Sequence, residues 1–246
     1  MKSIESAPAL STFSRAWFLL WLLPAGAFLG LAFGGSPLLL LPLFTLGLLA
    51  FGGACLWSAS AGVRSRAQLL WLGLALTLLG DYFLVYKNAP IASLNFLLGI
   101  GGFSLAQIYW LIFLLRLGRF SRWVGVPLFL FYGAFYGFAL FNAFPVSHEN
   151  PLRMMVALYA ALSCINVSLA AGSRGLAGSR WLCAGLGLLL FSDTMIALGR
   201  FIYVGDVLFL VGPAYLLSLL FIAVGASLFT LKMEYPQTED VLPQHS

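Results

Sequence analysis

Eight apolar runs, each close to twenty residues long, constrain this chain more than any other feature. About twenty consecutive apolar residues are needed to cross a bilayer core as an α-helix. Bounded by charges and turn residues, the runs fall at 16–34, 37–57, 67–86, 91–115, 123–142, 152–171, 181–203 and 207–231. The bilayer core holds no water, so each span must satisfy its own backbone, and a helix does that within one segment. The expected fold is all-α, a polytopic membrane bundle of eight transmembrane helices over residues 16–231. Residues 1–15 precede it as a short N-terminal segment, and 232–246 follow as a polar tail expected to be disordered. Composition leads to the same place: 61% of the residues are hydrophobic and 9% are charged. A soluble domain would carry roughly a quarter charged residues. Gly34-Gly35-Ser36-Pro37 splits one long apolar stretch into a helical hairpin. Pro24, Pro42, Pro127 and Pro213 sit inside runs, where neighbouring helices can satisfy the carbonyls they free.

Charge sets the orientation. Lys2, Arg15, Arg64, Arg66, Arg116, Arg119, Arg122, Arg174, Arg180 and Lys232 share one side, against Lys87, Arg153 and Arg200 on the other. The basic excess marks the cytoplasmic face, so both termini are expected in the cytoplasm. The membrane would be the plasma (inner) membrane in a bacterium and the endoplasmic reticulum in a eukaryote. Residues 1–14 lack the order of a cleaved signal peptide, and the first run reads as an uncleaved anchor. The basic residues form no stripe and no RNA-binding signature, so the net charge of +5 does not point to nucleic acid. Cys55, Cys164 and Cys183 show no CxxC spacing and read as small buried hydrophobes. No signal for an oligomeric state is present.

The two halves echo each other. Gly73-Leu-Ala-Leu-Thr-Leu-Leu-Gly-Asp81 aligns with Gly185-Leu-Gly-Leu-Leu-Leu-Phe-Ser-Asp193, and Phe96-Leu-Leu-Gly99 aligns with Phe209-Leu-Val-Gly212 at nearly the same offset. The pattern suggests two parallel four-helix repeats, with a site at their interface. Gly73, Gly80, Gly185 and Gly187 read as small residues that let helices approach closely.

Of the eight acidic residues, only Asp81 and Asp193 lie well inside spans. Asp81 precedes Lys87 by six residues and Asp193 precedes Arg200 by seven, and both spans run outward from the cytoplasm. At about 1.5 Å per residue both carboxyls lie roughly 9–10 Å below the non-cytoplasmic boundary. A carboxylate there costs about 2.5 kcal/mol or more, so it faces the bundle interior and serves a purpose. Tyr159 and Tyr215 reach the same level, with Tyr136 and Asn95 in the same outer half, while Gln107, Asn166 and Ser104 lie deeper and read as packing polars. His148 is in a loop and His245 in the tail, so no intramembrane His/Asp cluster is available to hold zinc. No G-x-S-x-G elbow occurs. Chemistry here would be carboxyl chemistry.

Gly80-Asp81-Tyr-Phe-Leu84 resembles the G-D-x-x-L motif of the YhhN-like lysoplasmalogenase family. Ser192-Asp193-Thr-Met-Ile-Ala197, preceded by Phe191, resembles the S-D-x-x-x-A part of that family's F-x-x-S-D-x-x-x-A signature, with Phe201 as its trailing aromatic. Phe96-Leu-Leu-Gly99-Ile-Gly-Gly-Phe103 resembles its F-x-x-G-L-x-x-F stretch. The order, spacing and span placement of the three motifs carry the resemblance over nearly the whole chain. There are two departures: Gln107 stands where the family usually has histidine, and Tyr215 is followed by Ser218 and Leu219 where Y-x-x-A-Q is usual.

The resemblance implies an enzyme that hydrolyses the vinyl ether bond of lysoplasmalogen. Its products would be a fatty aldehyde and glycerophosphoethanolamine or glycerophosphocholine, formed without metal or organic cofactor. The catalytic residues would be Asp81 and Asp193. Tyr159, Tyr215, Asn95, Gln107, Lys87 and Arg200 would contact the lysophospholipid, the last two at its phosphate. Enol ether hydrolysis asks for one acid and one carboxylate, the division of labour seen in glycosidases. Two other readings of the aspartates stand beside this one, a proton-coupled transporter and a non-catalytic membrane protein whose aspartates lock helices together.

Overall fold

The computed structural model describes residues 37–86, 94–143, 150–173, 175–199 and 210–234. Among them are seven α-helices and no strand. These are α1 (Pro37–Ser58), α2 (Ala61–Asp81), α3 (Leu94–Leu117), α4 (Arg122–Ala143), α5 (Asn150–Gly172), α6 (Ser179–Ala197) and α7 (Val211–Glu234). They correspond to the second through eighth apolar runs. The first run, 16–34, lies outside the described residues, as do Lys87 and Arg200. By length and composition, Ala61–Leu84, Leu94–Leu117, Met154–Gly172, Ser179–Ala197 and Val211–Met233 are each sufficient to cross a membrane.

The boundaries differ from expectation at the charged ends of the apolar runs. The helix expected from 67 begins at Ala61 and carries Arg64 and Arg66 on its first turns. An arginine can reach the interface along its stem while its backbone stays helical, and Arg64 has a further use. Its Nε donates to the Leu56 carbonyl at 2.9 Å and its Nη2 to the Ala59 carbonyl at 2.9 Å, closing the orphan carbonyls at the end of α1. The expected tail boundary at 232 also moves, because α7 continues to Glu234. The span expected over 181–203 ends its α-helix at Ala197. Pro42 and Pro127 lie within continuous helices, and Pro213 sits in the first turn of α7, where no backbone donor is required.

Six helices close a ring in the order α1, α2, α3, α5, α6, α7, with α7 returning to α1. α2 and α7 also touch across it, and α4 packs outside on α5. The tightest pairs are α2 with α3 and α6 with α7, and glycines make both seams. A Cβ on Gly102 would lie 2.9 Å from the Gly80 nitrogen, and one on Gly185 would lie 2.8 Å from the Ile222 nitrogen. Gly73 leaves room for the Trp110 indole, whose Nε1 donates to the Leu70 carbonyl at 3.0 Å. In lipid, such close packing takes over the part that the hydrophobic effect plays in water. Gly187, expected in a seam, faces open space. Gly178, just before α6, adopts φ 75° against the Gly225 carbonyl, where any side chain would collide.

The main core gathers Leu48, Leu70, Leu74, Trp110, Phe113, Leu189, Leu219, Ile222 and Phe229. A separate cluster of Phe96, Ile100, Tyr136, Val156, Tyr159, Ala160 and Ala197 joins α3, α4, α5 and α6. Trp57 and Trp123 are highly exposed at the helix ends carrying the basic excess, and the Arg122 guanidinium lies 5.5 Å from the Trp123 ring. Aromatic and basic side chains of this kind anchor helices at a membrane interface.

A candidate two-carboxyl site

Asp81 is the last residue of α2, where the helix loosens into a π-helical turn over Tyr82–Tyr86. Its neighbour Gly80 is pinned between the Phe103 ring and the α3 backbone, so the carboxyl is positioned by the tightest part of the α2/α3 seam. Asp81 is 6% exposed. Its Oδ2 accepts a hydrogen bond from Tyr215 Oη of α7 at 2.8 Å. The Tyr215 ring is held edge-on against Phe103, with centroids 6.1 Å apart. One turn before Asp81, Thr77 faces the same tyrosine hydroxyl while donating its own proton to the Leu74 carbonyl at 2.7 Å.

Asp193 lies four residues before the end of α6 and is half-buried. Its Oδ2 accepts from Tyr159 Oη of α5 at 2.5 Å. The Gln107 side chain of α3 faces that same hydroxyl. Gln107 is held in turn by Asn166 of α5, whose Nδ2 reaches the Gln107 carbonyl at 2.8 Å and its Oε1 at 2.6 Å. On the other side, Thr194 Oγ1 meets Tyr132 Oη of α4 at 3.2 Å, and Tyr136 faces Thr194. Asp193 is near enough to Asp81 for their charges to repel, and Tyr215 also lies within its field. The two carboxyls, their tyrosines and the Gln107–Asn166 pair thus form one polar layer between the two apolar clusters.

Two of the three tyrosines named from sequence each meet one aspartate, Tyr215 with Asp81 and Tyr159 with Asp193, while Tyr136 faces Thr194. Gln107 lies against Tyr159, is 1% exposed and is not among the groups bonded to either aspartate. Asn95 sits in the first turn of α3, half-buried, and is not among the groups bonded to either aspartate. Sequence reasoning passed over Thr77, Thr194 and Tyr132 and read Asn166 as packing. Two signals were available: Thr77 stands four residues before Asp81, on the same helix face, and Thr194 adjoins Asp193. Nothing in the sequence reveals that Asn166 and Gln107 bond across 59 residues.

Among the residues whose side chains are described no lysine or arginine lies in this layer; they sit toward the helix ends that carry the basic excess, while Arg153 is in the first turn of α5 at the opposite side. The arrangement supplies two carboxyls, each fixed by a phenol, in surroundings from which bulk water is largely excluded. A carboxylic acid in an apolar pocket can remain neutral and donate a proton, and a carboxylate beside it can stabilise a cation.

The model of the YhhN family matches residues 31–226, which include both aspartates and both tyrosines. No curated protein and no solved structure matches the chain.

Proposed function

Because the chain belongs to the YhhN family, we propose that it hydrolyses the vinyl ether bond of a lysoplasmalogen, with Asp81 and Asp193 as the reacting groups. The observation that carries the reading is the placement of both carboxyls in one polar layer, each held by a tyrosine from a facing helix. In this reaction one carboxyl protonates the β-carbon of the alkenyl chain and leaves an oxocarbenium ion at the ether carbon. The other stabilises that cation and takes a proton from the attacking water. The hemiacetal collapses to a fatty aldehyde and a glycerophospho-alcohol. No metal or organic cofactor enters these steps.

The substrate would enter from lipid with its phosphate near the outer boundary, the level at which the sequence puts Lys87 and Arg200, with Asn95 in the same outer half. Eight spans with both termini in the cytoplasm place the site in the outer half of the bilayer. The ring supports a two-repeat origin: α1/α2 packs as α5/α6 does, α2/α3 as α6/α7, and α1/α7 as α5/α3. The two-repeat reading would be abandoned if α1–α3 failed to superpose on α5–α7.

The test is incubation of purified protein with lysoplasmenylethanolamine and, in parallel, its acyl counterpart. Aldehyde released from the first and no fatty acid from the second supports the reading; inert vinyl ether ends it. Tyr215→Phe is expected to lower kcat by about tenfold, the loss of one hydrogen bond to a reacting carboxyl. A wild-type rate in that variant would show that the tyrosine does not orient Asp81.

One alternative has an observation in its favour. Each aspartate bonds a tyrosine on another helix, as two helix locks would. In that case Asp→Leu at either position would lower melting and no aldehyde would form.

A further inference from the structure

We infer that the Asn166–Gln107 pair aims the Tyr159 hydroxyl at Asp193 and so divides the labour of the carboxyls: Asp81 gives the proton and Asp193 receives one. The inference rests on reading both aspartates as reacting groups.

The bond directions follow from one fixed point, the backbone carbonyl of Gln107. A carbonyl oxygen only accepts, so the Asn166 group 2.8 Å from it is the amide NH2. The same nitrogen lies 2.6 Å from the Gln107 side chain, and its partner there must be the oxygen, Oε1. That turns the Gln107 NH2 toward the Tyr159 hydroxyl. A phenol carries one proton. With an N–H directed at its oxygen, Tyr159 sends that proton to Asp193 Oδ2. Gln107, Asn166 and Tyr159 are 1%, 0% and 9% exposed, so solvent does not reverse the series. Every bond runs one way and ends on an accepting oxygen, the pattern a carboxylate needs.

Asp81 has no such supply. Thr77 has a single proton, donates it to the Leu74 carbonyl at 2.7 Å and only faces the Tyr215 hydroxyl besides. No fixed one-way series therefore drives the Tyr215 proton onto Asp81 Oδ2. Asp81 is then the carboxyl that keeps a proton of its own. The other groups facing Asp193 are Tyr132 and Tyr136 from α4, with Asp81 and Tyr215 across the layer, and none of these is a cation.

In the reaction, the Asp81 proton forms the new C–H bond and Asp193 takes a proton from water as the C–O bond to the ether carbon forms. On collapse, Asp193 returns its proton to the leaving glycerol oxygen and the hemiacetal O–H proton passes to Asp81. Both groups are restored and one water is consumed.

The test uses the full chain in lipid nanodiscs without substrate, read by the infrared C=O stretch of protonated carboxyls at neutral pH. One band is expected, lost in Asp81→Asn and kept in Asp193→Asn. Gln107→Met should add a second band and lower kcat about tenfold with KM changed by less than about twofold. Gln107→His, whose ring N–H can still face Tyr159, should restore both. A band that disappears in Asp193→Asn overturns the inference. So does a Gln107→Met protein with a single band and the wild-type kcat. If the bands behave as expected but wild-type protein releases no aldehyde, the division of protons is supported and the hydrolase reading falls.

Discussion

Asp81→Asn and Asp193→Asn are each expected to reduce aldehyde release by about 10³-fold, with melting temperature unchanged. The substitution is chosen for what it keeps. Asparagine retains a side-chain carbonyl, so Tyr215 can still donate across the 2.8 Å gap to position 81, and Tyr159 can still donate to position 193. A helix lock would therefore survive. What disappears is the exchangeable carboxyl proton at 81 and the negative charge at 193. Activity that survives both substitutions would eliminate the two-carboxyl mechanism. Full activity in both Asn variants, with melting lowered only by Asp→Leu, would favour the locking role instead. Asp→Leu at either position supplies the contrast, because it strands a buried tyrosine hydroxyl at a cost of about 1–3 kcal/mol.

This prediction was largely legible in the sequence, and the reason is physical. A carboxyl in an apolar run is costly enough to stand out with no structure in hand. Counting residues to the next charge sets its depth, because helical rise is fixed. Tyr159 and Tyr215 could be placed at that depth by the same counting, but depth says nothing of azimuth. Which tyrosine meets which aspartate depends on the ring order, and that is decided by seam glycines such as Gly80 and Gly102. The Gln107–Asn166 bond was illegible for a related reason. Each residue alone looks like a packing polar, and only their contact turns Gln107 toward Tyr159. The misplaced start of α2 has a different origin. Arg64 and Arg66 mark an end to the apolar run, but an arginine at the edge of such a run does not end a helix, and Arg64 caps the preceding one.

Gly102→Val is expected to cost about 3 kcal/mol of stability and to remove activity with it. A Cβ at 102 would lie 2.9 Å from the Gly80 nitrogen and 3.1 Å from its Cα, and both are backbone atoms with no rotamer to yield. Valine adds two further carbons, so α2 and α3 must separate. Separation breaks the Trp110–Leu70 bond that spans the same seam and moves Asp81, the residue after Gly80, away from Tyr215. A displacement of about 1 Å at a reacting group can cost roughly 10²-fold in rate, so activity should fall further than the remaining folded fraction explains. Gly101→Val is the control, since the adjacent glycine faces open space with nothing within 4 Å. The two substitutions add the same side chain one residue apart on one helix, and only the first meets the α2 backbone. Thermal unfolding in nanodiscs separates them: Gly101→Val should melt with the wild type and Gly102→Val well below it. If the two variants melt together, the α2/α3 seam does not hold Asp81 in place, and the position of the carboxyl must come from the Tyr215 bond alone.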